Sequence, residues 1–169
     1  MYLETERLII RDWRLDDVPA YAEIVADPDV MRYIRNGSTK TYEQAERFVE
    51  ERITLGAERG WTHWAVASKA SGELMGFCGY GTLDGELDFG WRLAKTFWNQ
   101  GYGTEAATAA LRYGLETLGF DRITSVAFLE NEASIRIMKK LGMRFERFKE
   151  LYGKKVVMYV AERTSADTA

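Results

Sequence analysis

The chain has 169 residues, of which 46% are apolar and 13% aromatic, so it can bury a sizeable core and is not disordered as a whole. Its formal charge of −3 and its lack of lysine- or arginine-rich runs argue against a nucleic-acid partner, and mild acidity suits a ligand that bears a positive amine. A single cysteine excludes an internal disulfide, and acidic residues stand where a signal peptide would have its apolar stretch. No stretch has the length of a membrane span. We expect one cytoplasmic domain over residues 1–169, with a frayed polar tail at 164–169.

The first third of the chain is predicted to form one strand and two helices. Residues 8–10 are typical of a short buried strand, and Asp16 or Asp17 can cap a helix that ends near Ala26, where Asp27-Pro28-Asp29 stops it. A second helix should run from a capping box at 41–44 to about Gly60.

The remainder alternates strand and helix patterns. Three strand-like runs, at 61–67, 74–80 and 86–93, are separated by turn residues and predict an antiparallel meander. A helix should then end at Gly119, a buried strand should occupy 123–128, and Asn131 should cap a helix that ends at Gly142. Residues 143–151 and 155–163 predict a final hairpin, so the fold class is α/β with a mixed sheet.

The segment 97–106 carries the strongest functional signal. Gly101 and Gly103 leave backbone N–H groups bare, and the helix that follows adds unpaired N–H groups and the positive end of its dipole. This combination is suited to a phosphate or pyrophosphate. The pattern also matches the G-x-G-x-x-A fingerprint of nicotinamide oxidoreductases. However, its lead-in of about seven residues from an antiparallel strand argues against that class, and no P-loop lysine follows.

Four motifs occur in the order known from one enzyme family. They are Leu3-Glu4-Thr5-Glu6-Arg7-Leu8 with Arg11; Asp88-Phe89-Gly90-Trp91-Arg92-Leu93; Trp98-Asn99-Gln100-Gly101-Tyr102-Gly103-Thr104-Glu105-Ala106; and Asn131-Glu132-Ala133-Ser134 with Lys140-Leu141-Gly142-Met143. In these motifs the chain resembles the GNAT superfamily of N-acetyltransferases, closest to the ribosomal-protein N-terminal (RimJ/RimL-like) branch. The resemblance implies the acyl-CoA N-acyltransferase fold, with a mixed seven-stranded sheet and about four helices.

The resemblance also implies the reaction, in which the acetyl group of acetyl-CoA is transferred to a primary amine. The branch favours a protein or peptide N-terminal α-amine. Aminoglycosides, polyamines and amino acids stay open as acceptors, as does a non-catalytic acyl-CoA-binding module. A homodimer is consistent with the family, whereas neither a nucleic acid, a membrane nor a metal is expected as a partner.

The cofactor contacts are expected along the three later motifs. A backbone N–H near Trp91 or Leu93 should face the thioester oxygen, and Gly90 independently suggests a close backbone approach. Trp91 and Trp98 should wall the acyl end. The expected cofactor-binding residues are Trp91, Arg92, Leu93, Asn99, Gln100, Gly101, Tyr102, Gly103, Thr104, Asn131, Ser134, Arg136 and Lys139.

The catalytic candidates follow from the chemistry of amine attack. An α-amino group, with a reference pKa of about 7.7–8.0, is partly neutral, whereas lysine at about 10.4 needs a base. Asp88 and Glu86 are the candidate bases, acting through water, with Glu130 and Glu132 ranked behind them. Family members often carry a tyrosine that protonates the leaving thiolate, and Met138 occupies the matching position here. Ser134, one turn earlier, is expected to hydrogen-bond the sulfur.

The lone cysteine and the lone histidine are not expected to act in catalysis. Cys78 should be a buried strand residue, because no histidine is near it in sequence and His63 falls on another strand. The same residues give no spacing typical of a metal site.

Overall fold

A computed structural model describes residues 1–163, and the tail expected at 164–169 lies outside the described residues. Within 1–163 the chain forms eight strands and five α-helices. In chain order the elements are β1 (Tyr2–Glu4), β2 (Leu8–Arg11), α1 (Val18–Ala26), α2 (Pro28–Met31), α3 (Tyr42–Arg59), β3 (His63–Ser68), β4 (Leu74–Leu83), β5 (Glu86–Leu93), α4 (Tyr102–Arg112), β6 (Arg122–Phe128), α5 (Glu132–Lys140), β7 (Arg144–Leu151) and β8 (Lys154–Glu162). No helix in this part of the chain is both long enough and apolar enough to span a bilayer.

The strands form one mixed sheet in the order β1-β2-β3-β4-β5-β6-β8-β7. Neighbours are antiparallel except β5 and β6, which are parallel, so the predicted meander of β3, β4 and β5 is confirmed. The sheet has one strand more than expected. The additional strand is β1, whose three residues are too few to show an alternating pattern in sequence.

The predicted helix boundaries agree with the structure. Thr41 and Gln44 form the reciprocal capping box, and Gly60 ends α3 with a φ of 77°. Asp27 ends α1 as expected, but its side chain also caps the short helix α2 by accepting from Asp29 N at 2.8 Å. The residue that ends α1, Asp27, therefore also begins α2.

The helices lie on the two faces of the sheet, which we call the α1 face and the α4 face. Tyr21 and Phe77 belong to the core on the α1 face, whereas Phe89 and Leu93 belong to the core under α4 and α5. Successive residues of a strand alternate between faces. On β5, therefore, Asp88, Gly90 and Arg92 lie on the α1 face, and the residues between them lie on the α4 face.

The end of α4 widens into a π turn over Tyr113–Thr117. The buried Tyr80 hydroxyl donates to the carbonyl of Ala110 at 2.8 Å, and a Cβ at Gly114 would overlap that hydroxyl. A side chain inserted into a helical hydrogen-bond ladder is a known cause of such turns. The helix predicted to reach Gly119 thus does so through a turn that makes room for Tyr80.

Candidate active site

Strands β5 and β6 are joined at one end and separate at the other. They pair at Asp88 and Thr124, and the Ser125 hydroxyl donates to the carbonyl of Phe89 at 2.7 Å. Because carbonyls 87 and 89 both face β6, alternation directs the N–H and C=O groups of Trp91 into the opening beyond. The Leu93 carbonyl also faces this side and accepts from Trp98 Nε1 at 2.9 Å. The opening therefore exposes a strand edge that can pair with an extended ligand.

Two cavities meet at this opening. The loop cavity, of about 420 Å³, lies between the glycine-rich turn and α5. The strand cavity, of about 570 Å³, lies on the other side of β5 and reaches under α3. Both are lined by Tyr33, Ile34, Trp91, Arg92, Asn131 and Ser134.

The glycine-rich turn lines the loop cavity with Asn99, Gly101, Gly103 and Thr104. Asn99 and Gly101 have positive φ values of 58° and 83°, and the first helical bond runs from Glu105 N to the Gly101 carbonyl. The three N–H groups before Glu105 therefore precede the helical ladder and remain available to an anion. A Cβ at Gly103 would lie 3.0 Å from Ile137 Cδ1, so glycine here lets α4 and α5 approach closely.

An ion pair from the N-terminal segment holds the back of this turn. Glu105 accepts from Arg7 Nε at 2.7 Å and from the Thr5 hydroxyl at 2.6 Å, and Arg7 also donates to the Gln100 carbonyl at 2.9 Å. The Arg7 guanidinium lies over the Tyr102 ring. Gln100 and Tyr102 are absent from the cavity lining among the described residues, and the expectation that their backbone N–H groups help to hold the pyrophosphate stays a prediction. The role of Arg7 was not predicted, because its partner is 98 residues away.

Helix α5 supplies the opposite wall of the loop cavity. Asn131 Oδ1 accepts from Ser134 N at 3.2 Å, as expected of a cap. Arg136 and Lys140 line the cavity, but Lys139 does not. Residues 133, 136, 137 and 140 share one helical face and 139 lies off it, so Lys140 lies on the cavity side of α5, while the expected contact of Lys139 with the cofactor stays a prediction.

Asp88 is the ionisable group that fits a catalytic role best. It lines the strand cavity, and its buried Oδ1 has no hydrogen-bond partner within residues 1–163. Burial raises the pKa of this carboxyl to about 7, although Lys149 acts to lower it. A carboxylate with a pKa near neutrality can accept and release a proton under ordinary conditions.

The other candidate bases lie elsewhere. Glu86 is 3.3 Å from Arg147 and 3.6 Å from Arg122, so two guanidinium groups already neutralise it. Neither it nor Glu130 or Glu132 belongs to the described lining of either cavity. We therefore retain Asp88 alone as the candidate base.

The structure gives His63 a place that the sequence did not suggest. Cys78 is fully buried, as expected, and burial raises the pKa of its thiol. His63 lines the strand cavity, where its ring lies against Gly81 and 3.9 Å from a Cβ placed on Gly90. Burial, then Arg52 and Arg92, lower its pKa to about 3, so the imidazole is neutral. Gly81 and Gly90, which leave room for the His63 ring, are the feature of the sequence that could have indicated this position.

Within residues 1–163 no cluster of three or more His, Cys, Asp or Glu side chains is placed to hold a metal ion. The site thus consists of a glycine-rich turn with unpaired N–H groups, an unpaired strand edge and a carboxylate whose Oδ1 is buried.

Comparisons with known proteins agree with this arrangement. A family model described as an acetyltransferase (GNAT) domain matches residues 7–144. The chain is 35% identical over 150 residues to the uncharacterized N-acetyltransferase YnaD of Bacillus subtilis, covering 88% of this chain and 85% of that protein. Among solved structures, a GNAT-family acetyltransferase from Bacillus anthracis has a TM-score of 0.85 at 29% identity, over 96% of this chain and 99% of that one.

A further solved structure shares the fold at lower identity. It is RimL, a ribosomal L7/L12 α-N-protein acetyltransferase in complex with coenzyme A. Its TM-score is 0.82 at 17% identity, over 96% of this chain and 98% of that one. The family match over residues 7–144 sets aside nicotinamide chemistry, the alternative suggested by the glycine pattern.

Proposed function

We propose that this chain, which belongs to the GNAT acetyltransferase family, transfers the acetyl group of acetyl-CoA to the α-amine of a protein or peptide N-terminus. The observation that carries the proposal is the position of Asp88. Its half-buried carboxylate, with a buried and unpartnered Oδ1, lies where β5 and β6 separate, on the strand whose free edge lines both cavities. RimL, which has the same fold, is named as an α-N-protein acetyltransferase.

The loop cavity has the features that acetyl-CoA requires. Backbone N–H groups of residues 101–104 would hold the pyrophosphate, with Arg136 and Lys140 as nearby cations. The free edge of β5 would pair with the amides of the pantetheine arm, as an added strand pairs with a sheet edge. When bound there, the cofactor supplies an activated acetyl group. The Trp91 N–H would then donate to the developing oxyanion.

The pKa of Asp88 favours an α-amine over a lysine side chain. A base with a pKa of about 7 takes a proton from an α-ammonium of pKa about 7.7–8.0 at little cost. Removing one from lysine, with a pKa of about 10.4, would cost roughly two and a half further pKa units. The cavity side of β5 thus suits an acceptor whose amine is already partly neutral.

Ser134 would hydrogen-bond the leaving sulfur without having to protonate it. The thiolate of coenzyme A resembles that of cysteine, whose reference pKa is about 8.5, so it is a tolerable leaving group near neutral pH. Met138 offers no proton and is buried in the core. On α5, Ser134 would thus offer the sulfur a weak hydrogen bond, and Met138 offers no acid that could protonate it.

Ser134→Ala is accordingly expected to lower kcat by about tenfold or less, because one hydrogen bond is worth about 1 kcal/mol. The Kd for acetyl-CoA should stay within a few-fold, since the Asn131 cap uses the backbone N–H of residue 134 and not its hydroxyl. Steady-state kinetics with a saturating acceptor would measure this. A loss of a thousandfold would instead make Ser134 the essential proton donor.

The proposal is tested by measuring thiol release from acetyl-CoA with a panel of acceptors. The panel contains peptides with free N-termini, the same peptides with blocked N-termini, polyamines, aminoglycosides and amino acids. Turnover of free but not blocked peptides would support an N-terminal acceptor. Turnover confined to the small amines would move the assignment to a small-molecule acetyltransferase. Binding of acetyl-CoA without any turnover would favour a non-catalytic module.

A further inference from the structure

The strand cavity is electropositive although the chain as a whole is not. Four arginines and two carboxylates belong to its lining, whereas the formal charge of the chain is −3. The arginines are Arg35, Arg52, Arg59 and Arg92, and the carboxylates are Asp88 and Glu51. Burial keeps one of those carboxylates, Asp88, partly protonated near pH 7. A cavity of this sign attracts an anion and repels a polycation.

Arg52 is held in the cavity with donors to spare. Its side chain, on α3, is only 12% exposed, and its Nη1 lies 3.3 Å from His63 Nδ1. Its Nε is buried and has no partner within residues 1–163. Its ion-pair partner, Glu51 at 2.8 Å, is 61% exposed and therefore lies at the rim. Arg52 thus directs a buried, unmatched donor inward.

Arg92 also has a buried donor without a partner in the described part of the chain. Its Nη1 donates to the Tyr21 hydroxyl at 2.9 Å, its guanidinium lies over the Phe77 ring, and its buried Nε has no partner in the described part of the chain. Tyr21 is neutral, since burial raises the pKa of its hydroxyl. Burial of a guanidinium without a carboxylate is costly unless a ligand supplies one.

The spacing of Arg92 and Asp88 limits what the ligand can be. The two residues lie four positions apart on one face of β5, which separates their Cα atoms by about 13 Å. The carboxylate of a free α-amino acid is only two bonds from its amine and cannot reach across this interval. The side-chain carboxylate of Asp or Glu at the second residue of a peptide lies several bonds further from the N-terminal amine, whereas that of a first residue lies only one or two bonds further.

We propose that the acceptor is a peptide N-terminus with an Asp or Glu as its second residue, whose carboxylate is bound by Arg52 and Arg92. The neutral His63 lies 3.3 Å from Arg52 Nη1, and its ring fills the room left by Gly81 and Gly90, the neighbours of Asp88 on β4 and β5. This inference rests on the acetyltransferase function proposed above. It also disfavours polyamines and aminoglycosides, whose positive charges would meet the same arginines.

The test compares two peptides that differ only in Glu or Gln at their second residue. The wild-type enzyme should acetylate the Glu peptide with a kcat/KM at least tenfold higher, mainly through a lower KM. Arg52→Gln should reduce this ratio to about threefold or less. Arg52→Lys should restore part of it, because the charge returns without the planar fork. Arg112→Gln, which removes an exposed charge on α4, should leave the ratio as it is.

The possible results separate the two proposals. Equal kcat/KM values for the Glu and Gln peptides in the wild-type enzyme would overturn the carboxylate site and leave the acetyltransferase proposal standing. Absence of turnover with every acceptor would instead count against the acetyltransferase proposal. The role of Arg52 would also be overturned if Arg52→Gln kept the wild-type ratio of kcat/KM between the Glu and Gln peptides while its Kd for acetyl-CoA stayed normal.

Discussion

Replacing Asp88 by Asn is expected to lower kcat/KM for the acceptor by about 10²–10⁴-fold, the usual contribution of a general base. The two side chains have the same shape, so the Kd for acetyl-CoA should change little. Steady-state kinetics and calorimetric titration of the cofactor would measure the two quantities. Asp16→Asn, at an exposed position, is the matched control and should behave as wild type.

The pH profile provides a second readout of the same residue. Because the base must be ionised and burial raises its pKa to about 7, kcat/KM in the wild-type enzyme should rise with pH in a step near 7, separate from the ionisation of the acceptor amine at about 7.7–8.0. In Asp88→Asn the rise in kcat/KM near pH 7 should disappear, and the residual activity should follow the ionisation of the acceptor amine alone. A wild-type profile that is flat from pH 5.5 to 8 would show that Asp88 is not the base.

The same substitution should make the protein more stable at alkaline pH. The pKa of Asp88 is raised in the folded state, from 3.8 to about 7, so folding favours the protonated form. Its favourable contribution is complete below about pH 4 and is lost as the pH rises through 7. At pH 8, Asp88→Asn should raise the free energy of unfolding by on the order of 2 kcal/mol, measured by urea denaturation. Loss of activity with gain of stability is typical of a functional residue.

Replacing Gly103 by Asp is expected to weaken acetyl-CoA binding by about 100-fold or more relative to Gly103→Asn. Residue 103 lines the loop cavity in the first turn of α4, where a carboxylate would repel the pyrophosphate and neutralise the helix dipole. The Asn variant has the same volume and the same contact with Ile137, so the ratio of the two Kd values isolates the charge.

Calorimetric titration with coenzyme A would give both Kd values, and raising the ionic strength should narrow the gap between them. Both variants should keep the wild-type far-ultraviolet circular dichroism spectrum. Equal Kd values for Asp and Asn would mean that the pyrophosphate does not lie at this turn.

Local sequence patterns predicted the elements that depend on local physics. The capping box at Thr41, the Asn131 cap and the glycine-rich turn each arise within a few residues, and each is found in the structure. The position of Asp88 on the open strand also followed from its motif. The position of Lys140 in the cavity lining could have been predicted from helical periodicity, because 136 and 140 are four residues apart.

The acceptor side could not be predicted in the same way. Arg52 and Arg92 belong to a helix and a strand that meet only in the folded chain, and His63 joins them from a third element. The overall charge of −3 suggested an acidic site, since mild acidity suits a positive amine, whereas the strand cavity is electropositive. A whole-chain charge says nothing about the sign of one cavity when the acidic residues are distributed over the outer surface.

The bond between Arg7 and Glu105 has a consequence for how the protein acquires its activity. The turn that would bind the cofactor is held by Arg7, which precedes its partner Glu105 by 98 residues. Along the chain, Arg7 comes just before β2 and Glu105 comes after β5, so the whole β2-β3-β4-β5 meander lies between them in sequence. Contacts with so large a sequence separation form slowly, because a long loop must close before they stabilise anything. Helix α4 can form early from its own sequence, but its N-terminal turn is completed only when the first strands dock. Cofactor binding is thus a property of the finished fold and not of the glycine-rich segment alone.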